Sequence, residues 1–316
     1  MPRPVLIVAG SLNMDFVCQV AALPQPGATV LGSGFQMLPG GKGANQAYAA
    51  GRLGGEGLLT RMIGRVGADV FANQLRASLA SAGVDTAGIG VAEAAATGIA
   101  MIWVEPGGQN SIVVAPGANA AIEPRDVEAW REAFTDARWA LFQLETPLPV
   151  VAEGLRLALQ RGCSTMLDPA PAQPLSGEML RMVSILTPNE TEASRLLGRP
   201  AVGRVAPGQA HELTTALRAL GARAVTLKLG DAGCFYDDGA QQYHVPAFPV
   251  EAVDATAAGD TFNGAFAVAL AEGKPVDQAL RFASAAAAIS VTRRGAQASI
   301  PERAEVDRFL ARHGTL

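Results

Sequence analysis

Val5–Ala9 is an unbroken apolar run of the kind that forms a strand buried on both faces. Further apolar runs recur at Ala140–Leu144, Thr165–Leu167, Ser184–Leu186 and Ala224–Leu229. Stretches with helical periodicity, such as Val150–Gln160 and His211–Leu220, lie between them. This strand–helix alternation predicts an α/β fold with a mostly parallel central sheet flanked by helices. The alanine run Ala285–Ala288 sits inside a helical pattern bounded by Phe282 and Ile289, which suits close helix packing. No internal repeat and no linker divides the chain, so a single domain over 1–316 is expected.

A second pattern occupies the segment from Asp15 to Pro39, which carries three prolines, several glycines and short β-prone pieces such as Thr29–Leu31. Thr97–Trp103 and Ser111–Ala115 flank Glu105-Pro-Gly-Gly-Gln109, a hairpin signature with its turn at Pro-Gly-Gly. Residues 15–39 and 97–115 together predict a small separate sheet.

Composition narrows the function. Of 316 residues 49% are apolar, and 25 basic against 29 acidic residues leave a mildly negative chain with no basic tract. Nucleic acid and anionic membrane are therefore poor partners. No apolar run reaches the roughly 18 residues of a spanning helix, and Met1-Pro-Arg-Pro-Val5 leads straight into a strand, so a cytosolic protein is expected. Cys18, Cys163 and Cys234 are widely separated and do not cluster with His211, His244 or His313, which reads as structural thiols.

The chemistry concentrates in Asp254-Ala-Thr-Ala-Ala-Gly-Asp-Thr-Phe-Asn-Gly264. Ala257, Ala258 and Gly259 have little side chain to shield their N–H groups, so an anion can approach them at the positive end of a helix. Asp260, beside that anion hole, is placed to accept a proton from an attacking hydroxyl. The helix N-terminus should favour its ionised form, which makes it available at neutral pH but a weak base. Asn13, Glu145, Asp168, Asn189 and Gly230 each follow a predicted strand and would converge on one sheet edge, where ligands of parallel sheets bind. Asn13 and Asp15, two apart on extended chain, would face the same way and suit vicinal hydroxyls. Gly40-Gly41-Lys42-Gly43 is not a P-loop, since glycine follows the lysine, and no Gly-x-Gly-x-x-Gly string supports a dinucleotide site.

Seven segments in order resemble the PfkB, ribokinase-like family of carbohydrate kinases: Gly10-Ser-Leu-Asn-Met-Asp15, Gly40-Gly-Lys-Gly-Ala-Asn45, Phe142-Gln-Leu-Glu-Thr-Pro147, Asp168-Pro-Ala-Pro-Ala172, Thr187-Pro-Asn-Glu-Thr-Glu192, the Asp254 segment and Val291-Thr-Arg-Arg-Gly-Ala-Gln297. The resemblance spans nearly the whole chain. It implies transfer of the γ-phosphoryl of Mg-ATP to a sugar, foremost the 5-hydroxyl of D-ribose. Fructose, deoxyribose or a nucleoside are alternatives, as is a sugar sensor that has lost transfer. It further implies that the small sheet is a lid over the sugar and the contact of a homodimer.

By the same resemblance, Asn13, Asp15, Gly41, Lys42, Asn45, Glu145 and Asp260 bind the sugar, with Asp260 as the base. Glu145 is expected to lie exposed at the sheet edge. Asn189, Lys228, Gly230, Gly233, Gly259 and Ser284 belong to the ATP site, and Asn189 with Glu192 to the Mg2+ region. Asp254, Thr256, Ser290, Arg293, Gly295 and Ser299 fall where the family holds a K+ ion, most of them through backbone carbonyls. Lys228 stands where threonine is more common in ribokinases, which weakens the assignment to ribose, and Ser284 where histidine is frequent near the adenine, which leaves base selectivity open.

Overall fold

β1 (Val5–Ala9) forms where the apolar run predicts it, and every one of its residues is buried. The structure, a computed structural model, describes residues 3–107, 109–200 and 203–314. From β1 the chain leaves the main body for β2 (Asn13–Val20) and β3 (Gly32–Gly40). It then returns through α1 (Lys42–Gly54), β4 (Leu59–Gly67), α2 (Val70–Ser81) and β5 (Ile89–Ala92). The hairpin β6 (Gly98–Val104) and β7 (Asn110–Ala115) rejoins the small sheet. Glu105 N–H closes this hairpin on Gln109 O, and Gly108, one of its expected turn residues, lies outside the described residues.

The second half continues as β8 (Ala137–Phe142), α3 (Leu148–Gln160), β9 (Ser164–Leu167), α4 (Gly177–Arg181), β10 (Ile185–Leu186), α5 (Glu190–Leu196) and α6 (Pro207–Ala219). It then runs through β11 (Ala224–Lys228), β12 (Cys234–Asp237), β13 (Gln242–Val245), α7 (Ala258–Ala271), α8 (Val276–Ser290) and α9 (Arg303–Arg312). Among the described residues the main sheet has the order β13-β12-β11-β10-β9-β8-β1-β4-β5, and the small sheet β3-β2-β6-β7. Every pairing from β11 to β5 is parallel, while β12 and β13 add an antiparallel edge.

Alternate strand residues feed two apolar layers, as the pleat requires. Leu6, Val8, Leu141 and Met166 join the cluster under α1, α7 and α8, whereas Val5, Ile7, Ala9, Phe142 and Leu167 join that under α3 and α6. Small residues let the first group of helices approach closely. A Cβ added to Gly264 on α7 would lie 2.7 Å from Ala49 Cβ and 2.8 Å from Gln46 O on α1. The alanine-rich stretch of α8 is buried against α7, as its pattern predicts.

The small sheet corrects one detail: Thr29–Leu31 is not a strand. The β2–β3 ladder begins at Val20↔Gly32, so those residues run past the end of β2 and have no partner there. Predicted strand ends at Leu144 and Leu229 overshoot, because both chains turn at the sheet edge to bring site residues inward.

Candidate active site

The carboxyl ends of β1, β8, β9, β10 and β11 share one edge of the sheet, and the chain leaving them carries Asn13, at the start of β2, Glu145, Asp168, Asn189 and Gly230. On the acceptor side, Asn13 and Asp15 project from the same face of β2. Asn13 Oδ1 accepts from Asn119 Nδ2 (2.8 Å), and among the described residues the Asn13 amide nitrogen has no acceptor. Asn119 also grips Leu12 N–H and O at 2.9 and 3.0 Å, so the start of β2 is fixed relative to the main sheet. A Cβ on Gly40 would fall 2.1 Å from Asp15 Oδ2, so glycine is required there for the carboxylate to lie over β3. Burial, then the charges of Glu145 and Asp260, push Asp15 up to about 7.

Gly41 holds φ 88° at the start of α1, a conformation natural to glycine, and offers no side-chain cap. Glu145 supplies the missing anion: its Oε2 accepts from Lys42 N–H (3.1 Å) and from Ser11 Oγ (2.5 Å). The expectation of an exposed Glu145 is thus corrected. It is half-buried, because the positive end of α1 draws it in. Lys42 is surrounded by carboxylates. Burial opposes its charge, but Asp260, Asp168, Glu145 and Glu192 more than reverse that and hold its ammonium firmly protonated.

Ala257 precedes α7 as its N-cap, with a φ of 57° that is left-handed although it is not glycine, and no side chain caps the helix. Such strain at a non-glycine residue persists only where the surroundings enforce it. Among the described residues Gly259 and Asp260 N–H have no acceptor, so both remain free for an anion. Ala258 N–H is partly committed, at 3.2 Å, to Ala255 O, so that member of the expected anion hole is shared.

Asp260 is buried, with Asn45 Nδ2 donating to Oδ2 (3.1 Å) and Gln46 Nε2 to Oδ1 (3.0 Å). Its pKa rises to about 6, chiefly from burial, partly offset by Lys42 and then raised again by Asp168. This overturns the expectation of a weak base held down by the helix end, since desolvation of the carboxylate outweighs the dipole.

On the donor side, Gly230 (φ 56°) has open space where a Cβ would point, whereas at Gly233 a Cβ would strike Val245 O at 2.0 Å. The space beside Gly230 is therefore open, whereas Gly233 is required for the packing of β13. Lys228 Nζ pairs with Asp168 Oδ1 at 3.0 Å and faces the start of α7. Ser284 is buried on α8, with its hydroxyl 3.9 Å from Cys234 Sγ. Asn189 and Glu192 form a capping box at α5: Asn189 Oδ1 accepts from Glu192 N–H, and Glu192 Oε2 from Asn189 N–H, each at 2.8 Å. Asn189 Nδ2 adds a third bond to Glu192 Oε1 at 3.0 Å.

Asp254 ties two loops together. Its Oδ1 accepts from Thr256 N–H and Oγ1, and its Oδ2 from Gly295 N–H at 2.8 Å. These bonds hold its carboxyl below the usual range despite partial burial. Arg293 directs its guanidinium away, to Glu305, so only its backbone remains for the loop. Ser290 and Ser299 donate their hydroxyls to Ala287 O and Ala296 O.

Reasoning from the sequence passed over Ser11, Gln46, Asn119 and Gln143, and gave Asp168 no role at the site. All but Asn119 stand within the motifs Gly10–Asp15, Phe142–Pro147 and Asp168–Ala172, or directly after Gly40–Asn45, so their neighbours in sequence already marked them.

Residues 4–303 match the model of the pfkB family carbohydrate kinases. The chain belongs to this family. It is 41% identical over 308 residues to a ribokinase of Haemophilus influenzae, a match covering 98% of this chain and 99% of that one. It is 32% identical over 310 residues to a deoxyribokinase of Salmonella typhimurium, covering 97% and 98% respectively. Among solved structures, the Arabidopsis thaliana ribokinase complexed with ribose and ATP superposes with a TM-score of 0.87 at 33% identity, over 98% of this chain and 99% of that one.

Proposed function

We infer that this chain is an ATP-dependent kinase that phosphorylates the 5-hydroxyl of D-ribose to give ribose 5-phosphate. The observation that carries the reading is the placement of Asp260: a buried carboxylate, fixed by Asn45 and Gln46, one residue beyond the unpartnered N–H of Gly259. The N–H groups at the start of α7 hold the charge of the transferring phosphoryl group, and Asp260 takes the proton of the attacking hydroxyl. Asn13, Asp15, Gly41, Lys42, Asn45 and Glu145 shape the sugar side. Lys228, Gly230, Gly259 and Ser284 shape the nucleotide side. Positioning carries most of the barrier lowering, since a loose phosphoryl transfer needs little activation of its nucleophile.

Two ions belong to the proposal. Mg2+ enters with the phosphates of ATP and neutralises their charge. Asn189 and Glu192 already satisfy each other, so they fit hydrogen bonding to its water shell better than direct ligation. K+ suits the loops joined by ionised Asp254, with Thr256, Ser290, Arg293, Gly295 and Ser299 around it, and would stiffen the turn that aims the α7 N–H groups. The small sheet also exposes Phe35, Met37 and Ile112, with Leu31 exposed just before β3, apolar surface that supports a homodimer through the lid. No helix among the described residues is long and apolar enough to cross a membrane. The proposed compartment is the cytosol, where ATP is supplied.

Deoxyribose is the second reading, favoured by the similarity to a deoxyribokinase. ADP release from Mg-ATP with ribose, deoxyribose, fructose, adenosine or no sugar separates them. Ribose-dependent turnover above all others is expected. Preference for another sugar would replace the substrate, and absent turnover with every sugar alongside intact ribose binding would overturn the kinase reading in favour of a sensor.

A further inference from the structure

Gln46 is fully buried on α1, one turn beyond Lys42, and its side chain lies between two carboxylates. Its Nε2 donates to Asp260 Oδ1 at 3.0 Å and to Asp168 Oδ2 at 2.9 Å, which uses both amide hydrogens. Its Oε1 accepts from Gln143 Nε2 at 2.7 Å. This orientation is compelled by chemistry, because a reversed amide would set Oε1 against two anionic oxygens and Nε2 against another donor. Gln143 is itself buried beside Gly10, which leaves room for its Oε1 by having no Cβ, since one there would lie 1.8 Å from that oxygen. Asp168 in turn pairs with Lys228, whose ammonium faces the start of α7.

We infer that Gln46 is a positioning residue of the phosphoryl transfer: oriented by Gln143, it fixes Asp260 and Asp168 relative to each other and so aims the base and the Lys228 ammonium at one point. Asp260 and Asp168 are like charges in a buried pocket and would otherwise turn apart or share a proton. A single neutral amide donating to both lets the two anions stay close and keeps Asp260 ready at neutral pH. The inference rests on Asp260 being the base.

The test compares Gln46→Leu and Gln143→Leu with the unmodified enzyme and with Asp260→Asn. Ribose binding is measured by calorimetry, kcat at saturating ribose across pH, and folding by thermal unfolding. The titratable groups facing Asp260 are Lys42 on α1, Asp15 on β2 and Asp168 after β9, with Glu145 and Lys228 beyond them. Gln46→Leu should lower kcat about 10- to 100-fold with ribose affinity within about threefold, and should move the acid limb of kcat to higher pH, since ionised Asp260 loses a donor.

Gln143→Leu should shift both in the same direction by less, and it carries the test alone if Gln46→Leu does not fold. Wild-type kcat and an unmoved acid limb in the folded variants would overturn the inference. Near-normal turnover of Asp260→Asn would instead overturn the base assignment beneath it.

Discussion

Lys228 Nζ lies 3.0 Å from Asp168 Oδ1 and 3.6 Å from where a Cβ on Gly259 would stand. One ammonium group thus joins the strand edge to the N-terminus of α7. Lys228→Met removes a positive charge from the anion pocket and leaves the buried Asp168 carboxylate without its cation. The KM for ATP should rise about tenfold with little change for ribose, and stability should fall by about 3–5 kcal/mol, the range for breaking a buried pair. Adding Asp168→Asn should recover part of the stability but not the ATP affinity, which a double-mutant cycle reads directly.

Gly259 separates packing from catalysis. Among the described residues a Cβ there would meet only Lys228 Nζ, at 3.6 Å, and Gly259 sits in the first turn of α7. Gly259→Ala should therefore fold and be up to about 1 kcal/mol more stable, while its methyl group crowds the N–H groups offered to phosphate. A loss of kcat of at least about tenfold with an unchanged or raised Tm is the expected pair of results. Lower stability together with full activity would contradict that use of the glycine.

Asp15 gives stability a pH dependence. Its carboxyl is raised to about 7 by burial first, so the empty folded enzyme keeps a proton that the unfolded chain releases near its ordinary value. Between about pH 4 and pH 7 the folded state binds more protons, and stability falls as pH rises through that window. Asp15→Asn removes this loss. Its Tm should exceed that of the unmodified enzyme by about 2–5 °C at pH 8, the difference fading below about pH 5, while ribose binding weakens.

Asp254→Ala cuts the bonds to Thr256 and Gly295 that hold the two loops together. Turnover should fall, and activity in potassium should become equal to that in sodium. A variant that keeps the full potassium response would remove Asp254 from the cation site.

The central strands were legible because they are buried on both faces and read as plain apolar runs, as at Val5–Ala9. The positions of Asn13, Asp15 and Asp260 drew notice for a related reason: chemistry collects where strands and helices end, and those ends carry glycine and small polar residues, whereas Asn45 came only with the family resemblance. What pattern could not supply was distance across the fold. Glu145 reads as a loop carboxylate until the start of α1 is seen beside it. Gln46 reads as a helix residue until Gly264 lets α7 approach close enough to place Asp260 against it. The strength of Asp260 as a base was misjudged because the helix end is visible in sequence, whereas the burial that outweighs it is not.

The most direct measurement is ribose-dependent ADP release by Asp260→Asn beside the unmodified enzyme, with ribose binding followed in parallel. Asparagine preserves the shape and one of the two acceptor positions, sets its NH2 where the other donor, Asn45 or Gln46, now points, and cannot take the proton. Ribose binding retained with turnover lowered at least about 10²-fold is the expected result. Turnover close to that of the unmodified enzyme would contradict the assignment of Asp260 as the base and, with it, the chemistry proposed for the site.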